Sequence, residues 1–282
     1  MIPIKSEREI AAIRRSCVLA ATLLTRVTEI IEPGRSSREI DEYAGVLIRE
    51  HGARSPFFGY KIGNKEFPGH TCISINEEVV HGTPRDRKVQ YGDIVSLDLG
   101  VIYDGWVGDT ATTIAVGAID EETHRLLEVT EHALYLAIDR ARPGNRLSNV
   151  SHAVESFVCA NGFSVVREFV GHGIGRTLHE EPQIPNYGPP ERGPKLKPGM
   201  TLAIEPMVNS GVSKVELLQD GWTVVTADGK PSAHFEHTIL ITRNGPEILT
   251  IPEGKSEEVG RKLKEVIKIG KIGGKTCKLS RA

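Results

Sequence analysis

Four carboxylates in this sequence stand where apolar strand residues are expected. Asp98 interrupts the run Ile94-Val-Ser-Leu-Asp-Leu, and Asp109 interrupts Trp106-Val-Gly-Asp-Thr-Ala. Glu205 closes Met200-Thr-Leu-Ala-Ile-Glu, and Glu236 sits inside Ala233-His-Phe-Glu-His-Thr-Ile-Leu-Ile. His172 lies between the two pairs, in Gly171-His-Gly. Taken singly, each has a plain explanation. A charge in a strand usually faces water, and a histidine between glycines is usually a surface loop residue. Together, four acids and one imidazole suit a dinuclear metal centre, because carboxylates can bridge two cations and a neutral imidazole adds a nitrogen. Buried carboxylates with neither a shared proton nor a cation would be costly.

The elements that must position these groups follow from spacing. Asp104-Gly105 joins the two aspartate-bearing runs, and Asp-Gly is the preferred pair for a type I′ hairpin turn. If those two residues are the turn, Tyr103 pairs with Trp106, Val101 with Gly108 and Asp98 with Ala111. Asp98 and Asp109 are then diagonal neighbours on one face, with Cβ atoms about 7–8 Å apart. A turn longer by one residue would reverse the parity and separate them. In the strand Ala233–Thr242, Phe235, His237, Ile239 and Ile241 share one face, and Glu236, Thr238 and Leu240 the other. Glu205 precedes Pro206, so a regular central ladder is not expected to continue past it.

Two stretches of the chain share a plan. Ser6 with Glu9, and Ser36 with Glu39, are capping boxes that start helices, the first ended by Pro33-Gly34 and the second near Gly52. Asp120 caps a third helix that stops at Pro143-Gly144, and a fourth carries Val150, Val154 and Val158 to Asn161-Gly162. Pro33-Gly34 maps onto Pro143-Gly144, and Gly52 onto Gly162, with one constant offset, and each helix pair precedes β-rich sequence. An internal duplication is expected: two ααβ halves, about residues 1–117 and 118–252, with a site that uses both lying between them. An aromatic loop spans Ala53–Thr71, Cys72–Asn76 reads as a strand, and so does Phe163–Val170. Gly171-x-Gly173 is not a phosphate loop, because Arg176 occupies the third glycine position and no helical pattern follows.

Bulk composition narrows the classes. The net charge of −2 gives no global bias towards nucleic acid or membranes. The four cysteines (Cys17, Cys72, Cys159, Cys277) form no CxxC pair, which argues against a disulfide framework or zinc ribbon and suits a reducing cytoplasm. The N-terminus lacks signal-peptide character, and no apolar run is long enough to span a bilayer. The tail 253–282, with nine Lys or Arg against four Glu, reads as a solvated, at most weakly helical extension.

The motifs Cys72-Ile-Ser-Ile-Asn-Glu-Glu-Val-Val-His81-Gly, Gly92-Asp-Ile-Val-Ser-Leu-Asp98, Asp104-Gly-Trp-Val-Gly-Asp109-Thr, Gly171-His172-Gly-Ile-Gly-Arg-Thr-Leu-His179-Glu-Glu-Pro, Gly199-Met-Thr-Leu-Ala-Ile-Glu205-Pro-Met and His234-Phe-Glu236-His-Thr occur in this order. In them the sequence resembles the type I methionine aminopeptidases of the pita-bread fold, from about Ile4 to Pro252. The resemblance implies an α/β (α+β) architecture, a single catalytic domain 1–252 of two related halves with metals between them, and a basic extension 253–282. It implies two divalent ions (Co, Mn, Fe or Zn). Asp98 would bind one, Asp109 and Glu236 both, and His172 and Glu205 would complete the other. It implies removal of N-terminal methionine from nascent chains when the second residue is small, by attack of a metal-activated water on the methionine carbonyl. His179 would bind that carbonyl oxygen, His81 would sit near the scissile nitrogen, and Glu205 would shuttle the proton. Cys72, Tyr60, Phe67, Leu178 and Trp222 would line the methionine pocket. Leu178 stands where an aromatic is often found, and the loop Phe57–Phe67 is a few residues longer than in familiar bacterial forms.

Further expectations are a cytoplasmic monomer that keeps its own Met1 before Ile2, has no eukaryotic-type N-terminal extension, and touches no membrane, with the basic tail as a conceivable ribosome contact. Two other classes share the fold: X-Pro-cleaving relatives such as aminopeptidase P and prolidase, and non-catalytic binding proteins, among which ligand loss is common. Creatinase-type enzymes use the fold without metals. The five intact ligands weigh against the last two classes, and the early position of Asp98 weighs against the large N-terminal domain of the first.

Overall fold

Local signals start the helices where the sequence places them. In the computed structural model, which describes residues 2–272, both capping boxes close: the Ser6 and Ser36 hydroxyls accept from the N–H of Glu9 and Glu39, whose carboxylates take the serine N–H. Met1 and residues 273–282, with Cys277 and the end of the basic extension, lie outside the described residues. The first half runs α1 (Glu7–Thr28), α2 (Ser37–Glu50), a small hairpin β1 (Lys61–Ile62) and β2 (Lys65–Glu66), then β3 (Cys72–Ile75), β4 (Glu78–Val80), β5 (Ile94–Tyr103) and β6 (Trp106–Ala115). The second half runs α3 (Glu121–Arg140), α4 (Ser148–Ala160), β7 (Ser164–Val165), β8 (Gly171–Gly173), β9 (Glu180–Ile184), β10 (Thr201–Ile204) and β11 (Met207–Asn209). It continues through β12 (Val215–Leu217), β13 (Val224–Thr226), β14 (Ser232–His234), β15 (Glu236–Thr242) and β16 (Gly245–Ile248) to α5 (Ser256–Ile272).

The central sheet has the order β3-β5-β6-β15-β10-β8-β9, with β16 beside β15. First-half strands therefore meet second-half strands at β6–β15, where Glu236 pairs with Ala111 and His237 with Thr110. The β5–β6 hairpin has the expected register, Tyr103 opposite Trp106 and Asp98 opposite Ala111. Its turn residues Asp104 and Gly105 both have positive φ (51° and 77°), as a type I′ turn requires. One core packs α2 and part of α1 on β3 and β5 through residues such as Leu23, Leu47, Ile73 and Leu97. A larger one packs α3 and α4 on the second-half strands through Leu126, Leu134, Val154, Leu202 and Ile239.

Four readings of the sequence change. Phe163–Val170 is a strand only at Ser164–Val165, because the chain must then turn to bring Gly171 into the main sheet. Ala233–Thr242 is two strands: β14 pairs with β11 in a small sheet, Phe235 is the break, and β15 enters the main sheet. The turn pairs Asp220-Gly221 and Asp228-Gly229 bracket sequence that reads as a strand from Trp222, but β13 begins only at Val224. The tail, expected to be a solvated extension, contains α5, which lays Val259, Leu263 and the buried Val266 against the second-half core. Lys262 of α5 pairs with Glu131 of α3 and lies over the Tyr135 ring, 6.0 Å from its centroid. An apolar stripe at helical spacing, Val259, Leu263 and Val266, outweighs the basic composition around it.

Candidate metal centre

Breaks in strands aim the functional side chains. β10 ends at Ile204, so Glu205 stands at the step from the main sheet into β11. Glu236 begins β15 just after the break at Phe235. His172 is the middle residue of β8 rather than a loop residue, paired with Ala203 on one side and Gln183 on the other. Its flanking glycine is required by close approach: a Cβ on Gly173 would lie 2.1 Å from the carbonyl oxygen of Glu181. His81 has φ 57°, a left-handed backbone unusual for a non-glycine residue, and its ring stands edge-on to Phe169 at 5.1 Å.

Every site residue expected from the sequence lines one cleft of about 540 Å³. At its floor, ligand atoms of Asp109, His172 and Glu236 lie within 4.8 Å of one another. His172 Nε2 is 3.4 Å from Glu205 Oε1 and 4.0 Å from Asp109 Oδ2. Asp98 lies against Asp109 and Cys72. One wall is an apolar cluster of Phe57, Phe67, Cys72 and Trp222 with Leu178 against it, and Phe67 meets Trp222 edge-to-face at 5.4 Å. The aromatics of the Ala53–Thr71 loop divide the two readings open to them. Phe57 and Phe67 both anchor the loop and line the cleft, whereas Phe58 is exposed and stacks on His70. Tyr60, at the rim, places its hydroxyl 3.2 Å from His179 Nδ1.

This donor set fits divalent cations. Buried oxygens of Asp98, Asp109 and Glu236 (Oδ1, Oδ1 and Oε1) have no hydrogen-bond partner, which is expensive unless a cation supplies one. His172 Nδ1 lies 2.9 Å from the Gly173 carbonyl, which can only accept, so the proton sits on Nδ1 and Nε2 turns a lone pair towards the carboxylates. Lone pair facing carboxylate is repulsive until a cation lies between them. Burial pushes Asp109 up to about 7, and burial with the Asp109 charge pushes Asp98 well above the usual carboxylate range. Burial raises Glu205 and Glu236 as well, helped by the charges of Asp98 and Asp109 and, for Glu236, of Glu205. Burial lowers His81 and His172 to about 4, each with a smaller contribution from His179, so both rings are neutral near pH 7.

The sequence reading missed His234. It lies in the same cleft, 2% exposed, with Nε2 3.7 Å from Glu205 Oε2. His234 ends β14 and Glu236 begins β15 on either side of the break at Phe235, so the closeness of His234 to Glu236 in the sequence is the one signal that could have found it.

The model of metallopeptidase family M24 matches residues 11–243, and the chain belongs to that family. Within it, the likeness is to methionine aminopeptidases. Methionine aminopeptidase 1 of Bacillus subtilis is 51% identical over 250 residues, 89% of this chain and 99% of that protein. The crystal structure of the Rickettsia prowazekii methionine aminopeptidase superposes with a TM-score of 0.86 at 40% identity, covering 89% of this chain and all of that one. The prolidase from Pyrococcus horikoshii shares the pita-bread fold at a TM-score of 0.72 and 27% identity, but this chain covers only 64% of it. The α/β pita-bread expectation holds, and the prolidase type is the poorer match in identity and in length. Among the described residues no helix is long and apolar enough to cross a membrane.

Proposed function

We propose that the chain is a methionyl aminopeptidase, removing methionine from protein N-termini whose second residue is small. The observation that carries the reading is a buried cluster of carboxylates and imidazole at the floor of a cleft whose wall is an apolar, aromatic-lined pocket. Asp98, Asp109, His172, Glu205 and Glu236 would hold two divalent ions, and this oxygen-rich set admits Co, Mn, Fe or Zn. When bound, such ions lower the pKa of a water and polarise an adjacent carbonyl.

The protein's own groups do the rest. The methionine side chain enters the space between Phe67, Cys72 and Trp222, where full burial is worth about 1.5–3 kcal/mol. The Tyr60 hydroxyl donates to His179 Nδ1, leaving the Nε2–H free to donate to the methionine carbonyl oxygen as it gains charge. Glu205 takes a proton from the attacking water and delivers it to the amide nitrogen as the C–N bond breaks, so water ends as the new carboxyl of methionine and the hydrogen of the released amine. His81, held edge-on by Phe169, faces the leaving nitrogen.

The test uses purified protein supplied anaerobically with each metal in turn, on Met-Ala-Ser and on an X-Pro peptide. Methionine release from the first supports the reading, and cleavage of only the second overturns it.

A further inference from the structure

His234 is buried, polar and given no role by the reaction above. Its backbone is fixed twice: its N–H donates to Thr113 Oγ1 at 2.9 Å, and the same hydroxyl donates to its carbonyl at 2.7 Å. The Thr113 proton is thereby committed, so Ser96 Oγ must be the donor in its 2.8 Å bond to Thr113. The imidazole so placed turns Nε2 into the cleft, where it is buried and has no hydrogen-bond partner. The nearest carboxylate is Glu205, and the two imidazoles beside Glu205 divide its oxygens: Oε1 is 3.4 Å from His172 and Oε2 is 3.7 Å from His234.

The rings are wired oppositely. His172 spends its Nδ1 proton on Gly173 and presents a lone pair at Nε2, as a cation requires. His234 presents Nε2 to a carboxylate oxygen, and only an N–H is favourable there, in the neutral or the charged ring. We propose that His234 is a positioning residue for Glu205, holding Oε2 through a hydrogen bond from Nε2–H so that Oε1 stays aimed at the reacting water. The inference rests on the reading of Glu205 as proton carrier. Closing the gap to a charge-assisted bond of about 2.8 Å takes a shift of about 0.9 Å, within reach of a small rotation of the glutamate.

The experiment compares wild type with His234→Ala and His234→Gln, whose amide N–H can donate to the same oxygen. Three readouts are taken: kcat and KM on Met-Ala-Ser with saturating metal, metal content by mass spectrometry, and the ¹⁵N shifts of His234 in the metal-free and loaded wild-type protein. Loss of one charge-assisted bond predicts a kcat for His234→Ala lower by roughly 10–100-fold. With metal saturating, KM should be unchanged, His234→Gln should recover most of the rate and of the metal content, and the wild-type shifts should report a protonated Nε2. A wild-type rate in His234→Ala, a His234→Gln no better than His234→Ala, or an unprotonated Nε2 overturns the proposal. Metal lost equally from His234→Ala and His234→Gln also overturns it, because an amide that restores the hydrogen bond to Glu205 would restore the site unless the imidazole were itself a ligand. A wild-type protein that releases no methionine removes the functional reading itself, and this inference with it.

Discussion

Replacing Asp109 by Asn should stabilise the metal-free protein and weaken the metal-loaded one. The side chain keeps its shape but loses a charge that burial opposes. A rise from 3.8 to about 7 corresponds to about 4 kcal/mol against the ionised form, an upper value because Asp98 shares the cost. Since the folded chain holds this proton more tightly than the unfolded chain, stability is fullest below the ordinary carboxylate pKa. It falls as pH rises, until Asp109 is ionised above about 7. Chelator-treated wild type should therefore be less stable at pH 8 than at pH 5, and that slope should be shallower in Asp109→Asn. At pH 8 the metal-free variant should gain about 2–4 kcal/mol, or roughly 5–15 °C in melting temperature. Added metal reverses the order. A cation at a thousand times its Kd stabilises by about 4 kcal/mol, and the variant should forfeit most of that together with its peptidase activity. Calorimetry of both proteins with and without metal reads all four states. If the metal-free variant melts no higher than wild type, or if metal still stabilises it fully, the carboxylates are not held as a cation site.

Other outcomes are expected. Glu205→Gln, which cannot carry the proton, should lower kcat by roughly 10²–10⁴-fold, read by steady-state kinetics. Trp222→Ala removes the edge-to-face partner of Phe67 and should act on KM for methionyl peptides more than on kcat, and an unchanged KM would place the methionine side chain elsewhere. Ending the chain at Pro252 strips Val266, Leu263 and Val259 from the α3 face. It should cost about 2–4 kcal/mol of stability while leaving KM for a tripeptide alone, as a melting curve and an assay would report.

Much of the molecule is local physics and is therefore legible. Ser6 and Ser36 each carry a glutamate three residues on, and that pair alone specifies where α1 and α2 begin. Asp104-Gly105 specifies a two-residue turn, and with it the register that puts Asp98 and Asp109 on one face. The four acids of the proposed site stand out for the same reason: a charge inside an apolar run is visible wherever the run folds. What was misread depends on partners far away in the chain. Phe163–Val170 has strand composition, yet it must leave β7 after Val165 to carry His172 between β9 and β10. The C-terminal stretch has the composition of a solvated tail, but the face of α3 it covers is built only when the second half folds.

Patterns within a few residues are enough for the starts of α1 and α2, for the β5–β6 register and for picking out Asp98, Asp109, Glu205 and Glu236 as charges in apolar runs. Packing of the whole chain puts Glu205 and Glu236 at breaks between two sheets and turns His172 Nε2 towards Glu205 and Asp109. It also brought His234 to Glu205. Distance and hydrogen-bond direction between residues 29 or more positions apart are properties of the packed chain, and no local pattern encodes them.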